Sequence, residues 1–177
     1  MMPIGPLMIE HRLIEKVIEN IRIESKNVHK GKKLEILYID KIVDFIRVYA
    51  DRTHHGKEED ILFRELKSRQ LTNEDLRIMN ELVNEHNLAR KTVKELVEAK
   101  NKFINNDLDE KKVILEKLDI LVKLYPGHIL KEDKIFFPSV MKYLNKEEQR
   151  KMIDEMWEFD RKMIHEKYRL VVENLQS

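Results

Sequence analysis

Two stretches of this sequence place a histidine four residues before a glutamate. They are His54 with Glu58 and His128 with Glu132. In a helix, residues four apart lie on the same face one turn apart, so an imidazole nitrogen and a carboxylate oxygen can bind one metal ion. A single pair of this kind is usually a surface ion pair. Two matched copies indicate a metal site instead.

The two motifs belong to an internal repeat. The segments HHGKEEDILF (54–63) and HILKEDKIFF (128–137) agree in His, Lys, Glu, an acid, Ile and Phe at the same offsets. Upstream of each, a second pattern, Glu-His-x-Leu-x-x-Lys, occurs at 10–16 and at 85–91. The repeating unit is therefore a helical hairpin that carries one lone histidine and one His-x3-Glu motif. Four helices are expected to converge on one centre.

The lone histidines, His11 and His86, fall within apolar stripes, where an unpaired imidazole is costly to bury. A hydrogen-bonded core histidine is the ordinary alternative for each, but their matching repeat positions favour coordination. Because a carboxylate has two oxygens, each glutamate can bridge two cations. The sequence therefore predicts a two-metal site with six ligands: His11, His54, Glu58, His86, His128 and Glu132.

A neighbouring pair, His55 with Glu59, has the same spacing and competes for the site. The repeat aligns His54, and not His55, with the second motif. The α-helical period also places His54 on the line of Ala50, whereas His55 follows Asp51. His55 is therefore predicted to face outward.

The composition limits the chemistry that such a site can perform. The chain has no cysteine, which excludes thiolate zinc sites, iron-sulfur clusters and disulfides within it. Lysine plus arginine (34) nearly balances aspartate plus glutamate (33), so no nucleic-acid partner is expected. No apolar run is long enough for a signal peptide or a membrane span, so a soluble cytoplasmic protein without a membrane partner is expected.

Helical periodicity and punctuation predict an all-α chain of five helices in one continuous bundle. Its 177 residues suit one domain, and only four glycines and four prolines interrupt it. Threonine and asparagine caps, each with an acid three residues later, mark several starts. The predicted helices run from Gly5 to about Gly31, from Leu34 to Leu66, from after Thr72, from about Asp107 with Glu110 in the capping position to Phe137, and from Asn145 to about Leu175.

Three further residues lie close enough in sequence to support the ligands. Tyr125 could contribute a hydroxyl, although Pro126 is predicted to kink or break the helix between it and the second motif. Arg90 stands one turn after the third-helix histidine, and Glu15 occupies the matching position after His11. Across a twofold bundle these two could pair and close one side of the site. Two unrelated surface charges are the alternative.

With these residues assembled, the chain resembles the hemerythrin-like family, or HHE cation-binding domain, over about its first 140 residues. The resemblance implies an up-down-up-down four-helix bundle, here over residues 1–144. The C-terminal helix over residues 145–177, predicted from its cap and periodicity, lies outside the family core and is expected to pack on the same domain. The resemblance also implies two iron ions with an oxo or hydroxo bridge, Glu58 and Glu132 being the carboxylate bridges. Zinc or manganese would suit the same nitrogen and oxygen donors.

One departure from the oxygen carriers of the family bears on function. They have a further histidine where this sequence has Arg90, which argues against reversible oxygen transport. Four histidines and two glutamates resemble the branch that contains di-iron proteins of iron-sulfur cluster repair and the iron-sensing domain of a ubiquitin-ligase subunit. Both carry extra segments, such as a cysteine-bearing domain, that this sequence does not show.

The leading functional prediction is a di-iron protein that binds or senses dioxygen, nitric oxide or iron. A di-iron enzyme is the first alternative, acting in peroxide or nitric oxide reduction, as an oxidase, or in iron-sulfur cluster repair. A metal-free helical interaction protein is the second. The expected partners are a small diatomic ligand or peroxide, and the fifth helix could form a lid or a homodimer contact.

Overall fold

A computed structural model describes residues 2–175, without the side chains of Tyr168 and residues 170–175. Its five helices follow one another through short connections. They are α1 (Ile4–His29), α2 (36–67), α3 (Asn73–Ile104), α4 (110–140) and α5 (Lys146–Leu175). The first four alternate in direction, which confirms the all-α up-down-up-down bundle with an additional helix. Met1 and residues 176–177 of the predicted C-terminal segment lie outside the described residues.

The predicted helix starts are largely confirmed by their caps. Thr72 accepts a hydrogen bond from the Asp75 backbone N–H at the start of α3. At α5, Asn145 and Glu148 cap each other reciprocally, side chain to backbone N–H, at 2.8 and 3.0 Å. The predicted cap at Asp107 is wrong, because α4 begins only at Glu110, after turns at 107–109.

Two of the four bundle helices contain π-helical turns. In α2 these are Phe45–His55 and Glu58–Phe63, and in α4 the turn is Glu132–Phe136. A π-helix bonds each N–H to the carbonyl five residues back, so it rotates less per residue than an α-helix and is common at functional sites. The α-helical period therefore misplaces side chains within these segments.

Pro126 was predicted to kink or break α4, and the helix does not break there. The α-helix is continuous over Glu110–Lys131, and the irregular turn comes after His128, not before it. Proline removes one backbone donor. Tyr125 and Ile129 on either side of it are 2% and 3% exposed, so the helix stays packed in the core across the proline.

The interior consists of two apolar clusters separated by a polar layer. In α1, Leu7 belongs to one cluster and Ile14 to the other, with His11 between them. The other three bundle helices repeat this order, and each carries its predicted ligands at the boundary between the clusters. The predicted ligands are thus held between two packed hydrophobic cores, which limit their contact with water.

The fifth helix packs against the π-helical part of α2. Ion pairs join the two helices along their length: Arg64 with Glu155, Arg52 with Glu166, and Asp44 with Lys167. Within the described part of the chain, no helix is both long and apolar enough to span a membrane.

Asp75 links the start of α3 to the end of α4, and its loss should destabilise the bundle. It is 3% exposed and accepts hydrogen bonds from Thr72 (2.7 Å), Ser139 (2.5 Å), Tyr143 (2.6 Å) and Lys142 (3.0 Å). Removing the charge in Asp75→Asn should cost about 1.5–3 kcal/mol of unfolding free energy, as for hydrogen bonds to charged groups. Urea unfolding at pH 7 measures the loss.

The same carboxylate predicts an acid dependence of stability. Burial alone would raise the pKa of Asp75, but the hydrogen bonds from Ser139 and Tyr143 bring it well below its usual value. Because the pKa of Asp75 is lower in the folded than in the unfolded state, the carboxylate stabilises the fold at pH values above its unfolded-state pKa, about 4. This contribution is lost as the pH falls below about 4. Unfolding free energy should therefore decline less steeply below pH 4 in Asp75→Asn than in the wild type. Parallel declines would contradict this assignment.

Candidate metal centre

The six predicted ligands come together in the polar layer. His11 and His86, like Glu58 and Glu132, are 0% exposed, and His54 and His128 are nearly as buried. They come from all four bundle helices. Each glutamate spans two imidazoles from different helices, as four distances show: Glu58 to Nε2 of His54 and His86 at 3.4 Å each, and Glu132 to Nε2 of His11 and His128 at 3.2 and 3.3 Å. Both carboxylates are therefore placed to bridge.

The prediction that His55 faces outward is wrong. His55 is 1% exposed, and its ring stacks on that of His86 with 3.8 Å between centroids and 12° between planes. It also lies edge-on to His128 at 5.7 Å. The reason is the π-helix that ends at His55, whose smaller rotation per residue turns two consecutive histidines inward. The centre therefore has a fifth imidazole.

The donor atoms form two groups that share Glu58. One group is His55, Glu58, His86 and His128, and the other is His11, His54, Glu58 and Glu132. Within each group the candidate ligand atoms lie within 4.8 Å of one another. Five imidazoles are thus divided unequally, three beside one position and two beside the other.

A carboxylate lies at Nδ1 of each of these histidines. Nδ1 can donate a hydrogen bond there, which leaves the Nε2 lone pair directed into the site. Four contacts are short and the one to His55 is longer: His11 to Asp133 (2.8 Å), His54 to Glu10 (2.9 Å), His86 to Glu59 (2.7 Å), His128 to Glu85 (2.8 Å) and His55 to Asp51 (3.4 Å). Outer carboxylates of this kind orient metal-binding histidines and raise their basicity.

Several donor atoms that point into the site have no hydrogen-bond partner among residues 2–175. They are Nε2 of His11, His54 and His55 and both carboxylate oxygens of Glu58 and of Glu132. Nε2 of His86 and Nε2 of His128 face each other at 3.2 Å, although the two Nδ1 contacts leave both with lone pairs. Buried polar atoms are rarely left unsatisfied, and cations between them would satisfy all of these. The residues present therefore fit a metal centre of nitrogen and oxygen donors.

The acid-base properties of the metal-free site reflect its crowding. Burial lowers the pKa of His54 to about 4 and holds that of His55 well below its usual value. Burial and the adjacent Glu132 raise the pKa of Glu58 well above its usual range. Although burial opposes it, the carboxylates of Asp133 and Glu132 raise the pKa of His11 to about 9.

Cationic side chains surround the outer carboxylates in a twofold pattern. Lys57 contacts Glu10, and its repeat counterpart Lys131 contacts Glu85 at 2.6 Å. Arg12 of α1 contacts Asp133 of α4. Arg90 of α3 contacts Glu59 of α2 at 2.7 Å, although Arg12 and Arg90 do not occupy matching repeat positions. The repeat seen in the sequence therefore extends to the lysines and the outer carboxylates, but not to every supporting contact.

The predicted pairing of Glu15 with Arg90 is wrong. Glu15 is about half exposed and pairs with Arg12 at 2.9 Å. Arg90 instead bonds Asp51 at 2.8 Å as well as Glu59, and these two acids contact His55 and His86. Arg90 thus supports the three-imidazole group through the carboxylates that orient its histidines.

Tyr125 reaches the site region, as the sequence suggested it could. Its ring lies 6.3 Å from that of His55 at an interplanar angle of 14°, and it is 2% exposed. Its hydroxyl has no hydrogen-bond partner among the described side chains. Beside it lies a cavity of about 170 Å³ that is also lined by Asp51, Arg90 and Ala89.

Comparison with protein families agrees with this geometry. The family described as Hemerythrin HHE cation binding domain matches residues 2–140, which is more than half of the chain. The chain belongs to the hemerythrin HHE family. Searches of curated proteins and of solved structures found no match. The hemerythrin HHE match makes this a cation-binding protein, which contradicts the metal-free interpretation, and it leaves α5 outside the family segment.

Sequence reasoning missed the outer carboxylates as well as His55. A signal for two of them was present, because Glu10 and Glu85 precede the lone histidines in both copies of the upstream pattern. Each supports the histidine of its neighbouring helix and not the histidine beside it in sequence. This pairing of each glutamate with a histidine of another helix becomes visible only when the helices are packed together.

Replacing Glu85 by glutamine should weaken metal binding without removing a ligand. The amide is a poorer acceptor for His128 Nδ1–H, and loss of such outer carboxylates typically costs 10–100-fold in metal affinity, about the range expected here. Glu81→Gln is the matched control, because Glu81 also pairs with Lys131 but contacts none of the five histidines in the described structure. Metal titration of both variants measures the difference, and equal affinities would contradict the role of Glu85.

Proposed function

We propose that this protein holds two iron ions and reversibly binds a small diatomic ligand, dioxygen or nitric oxide. The observation that carries the proposal is the unequal division of five buried imidazoles between two donor groups that share Glu58. Mixed imidazole and carboxylate donors suit iron, and they also accept zinc or manganese. When bound, the irons would supply the electrons and the open coordination position that a diatomic ligand requires.

The asymmetry of the site favours ligand binding at one side. His55 gives three imidazoles to the group that contains His86 and His128, whereas the group of His11 and His54 has two. At the repeat position that corresponds to His55 stands Ile129, an apolar side chain that is also buried. If Glu58 and Glu132 both bridge, the metal beside His11 and His54 would have four protein donors and the other metal five. The metal with fewer protein donors keeps room for an external ligand.

His55 also bears on the sequence-based argument against reversible oxygen binding. That argument rested on Arg90 standing where the oxygen carriers of the family have a histidine. The fifth imidazole now comes from α2 and not from α3, and Arg90 supports it through Asp51. The number of imidazoles therefore no longer weighs against a reversible binding role.

Burial limits what can reach the site. None of the side chains of the two donor groups is more than 4% exposed. Large organic substrates could not approach the inward atoms without opening the bundle, whereas a diatomic molecule could diffuse through packing fluctuations. This favours a binding or sensing role over an oxidase of large substrates.

The proposal can be tested on protein purified without oxygen from iron-supplemented cells. About two irons per chain are expected, with visible charge-transfer bands that appear in air and fade under argon, and distinct bands with nitric oxide. Bands that do not fade would support irreversible oxidation and overturn reversible binding. Zinc or manganese in place of iron would overturn the iron assignment, and no bound metal after reconstitution would overturn the centre itself.

Peroxide reduction is the second candidate, and Tyr125 favours it. A buried phenol without a partner in the described structure, next to His55, could donate a hydrogen bond or a proton to a bound peroxide. Tyr125→Phe should then slow peroxide consumption by the iron-loaded protein about 100-fold or more, within the usual range for a lost general acid. Equal rates in the variant and the wild type would remove this candidate.

A further inference from the structure

The C-terminal helix reaches the metal centre through a buried lysine. Asp160 of α5 contacts Lys57 Nζ at 2.7 Å, and the same ammonium contacts Glu10. Glu10 in turn accepts the Nδ1–H of His54 at 2.9 Å. Lys57 is 0% exposed, so its charge is neutralised by these two carboxylates and not by water. One continuous chain of charged contacts thus joins α5 to a predicted metal ligand.

The repeat shows that this connection is particular to one half of the site. Lys131, the counterpart of Lys57, has Glu85 and Glu81 as its acidic partners, and both lie on α3. The half around His128 is therefore completed within the four-helix bundle. The half around His54 is completed by α5, which lies outside the family segment.

A second contact places α5 against the ligand-bearing turn. A Cβ atom at Gly56 would lie 2.8 Å from Cζ of Phe159, so the ring packs directly on the backbone there. Gly56 lies between His55 and Lys57, at the junction of the two π-helical segments of α2. Phe159 precedes Asp160 in sequence. Steric and electrostatic contacts from the same turn of α5 therefore meet the same turn of α2.

We infer that α5 is a positioning element of the metal centre, in which Asp160, through Lys57 and Glu10, fixes His54 and tunes its affinity for the metal. Without the Asp160 carboxylate, the Lys57 charge would draw Glu10 away from the His54 Nδ1–H and leave an uncompensated cation near the metal. Coupling between two sites is reciprocal, so metal binding should in turn strengthen the docking of α5. The inference rests on the proposed two-metal centre but not on iron or on any gaseous ligand.

Cobalt(II) titration of the metal-free full chain tests this directly, because visible absorption reports its coordination. Asp160→Asn should weaken the binding of one of two Co²⁺ ions by about fivefold or more, the lower end of usual couplings between sites, and should shift its absorption bands. Glu155→Gln is the matched control, since it removes the ion pair with Arg64 from the same helix without touching the chain to His54. Asp160→Glu should restore most of the lost affinity.

Hydrogen exchange gives an independent readout of the reverse effect. In the wild type and in Glu155→Gln, Co²⁺ should slow backbone amide exchange over residues 157–164 of α5 by about fivefold or more, and this slowing should be lost in Asp160→Asn. If Asp160→Asn and Glu155→Gln bind Co²⁺ with the same affinity and show the same backbone amide exchange, α5 is only a structural support and the inference fails. If the wild type binds no Co²⁺, the two-metal centre itself is wrong, which is a different and recognisable outcome.

Discussion

Glu58→Gln is expected to change thermal stability in opposite directions with and without metal. In the metal-free protein, Glu58 is fully buried and its oxygens have no hydrogen-bond partner in the described structure, so a neutral side chain of the same shape should raise the melting temperature. In the metal-loaded protein the same change removes the donor that both ligand groups share. The loaded variant should therefore melt below the loaded wild type.

The size of the second effect follows from mass action. A ligand that binds only the folded state at 100 times its dissociation constant adds about 2.7 kcal/mol of stability, and a bridging ligand is required for much of that affinity. Scanning calorimetry of the chelated and reconstituted proteins measures both signs.

Glu59→Gln serves as the comparison for Glu58→Gln. Despite the opposing effect of burial, hydrogen bonds from His86 and Arg90 lower the pKa of Glu59 to about 2. Glu59 therefore stabilises the metal-free fold at neutral pH, and losing its charge should lower the melting temperature. Substitutions at two adjacent positions should thus shift the melting temperature of the metal-free protein in opposite directions. A lower melting temperature for metal-free Glu58→Gln would contradict the assignment of Glu58 as an uncompensated buried acid.

His55→Ala is expected to have the largest effect of any substitution not suggested by the sequence motif. If His55 supplies the third imidazole beside His86 and His128, its loss should weaken one of the two metal sites by more than the 10–100-fold typical of outer carboxylates, about 100-fold or more. It should also alter the absorption of that metal alone.

His29→Ala is the control for this substitution, since His29 is about half exposed and lies far along α1 from the site. An outward-facing His55, as the α-helical period predicts, would make the two variants indistinguishable. Metal titration of the two proteins in parallel therefore decides between the α-helical and the π-helical register at this position.

Those features of the fold that depend on local periodicity could be predicted from the sequence. The order of the helices, the caps at Thr72 and Asn145 and the pairing of the two His-x3-Glu motifs all follow from spacing along one chain segment. The predicted ligands share this property, because each lies on the apolar stripe of its own helix. Spacing within a helix was therefore enough to find six of the side chains.

What the sequence did not reveal depends on departures from ideal helices and on contacts between helices. His55 was misplaced because a π-helix does not follow the α-helical period. The partner of Arg90 was misassigned because two acids of α2, Asp51 and Glu59, lie nearer to it than Glu15. The ion pair between Asp160 and Lys57 joins α5 to α2, and no sequence motif in either helix predicts it.

The nearly complete enclosure of the donor atoms has a kinetic consequence. A chelator cannot touch ions held by side chains that are at most 4% exposed, so release requires the helices to separate locally first. Above a threshold chelator concentration, the rate of metal loss should become constant and equal the rate of that opening. Metal release would then measure how often the bundle opens, and substitutions such as Asp75→Asn that loosen it far from the ligands should shorten the residence time of the metal.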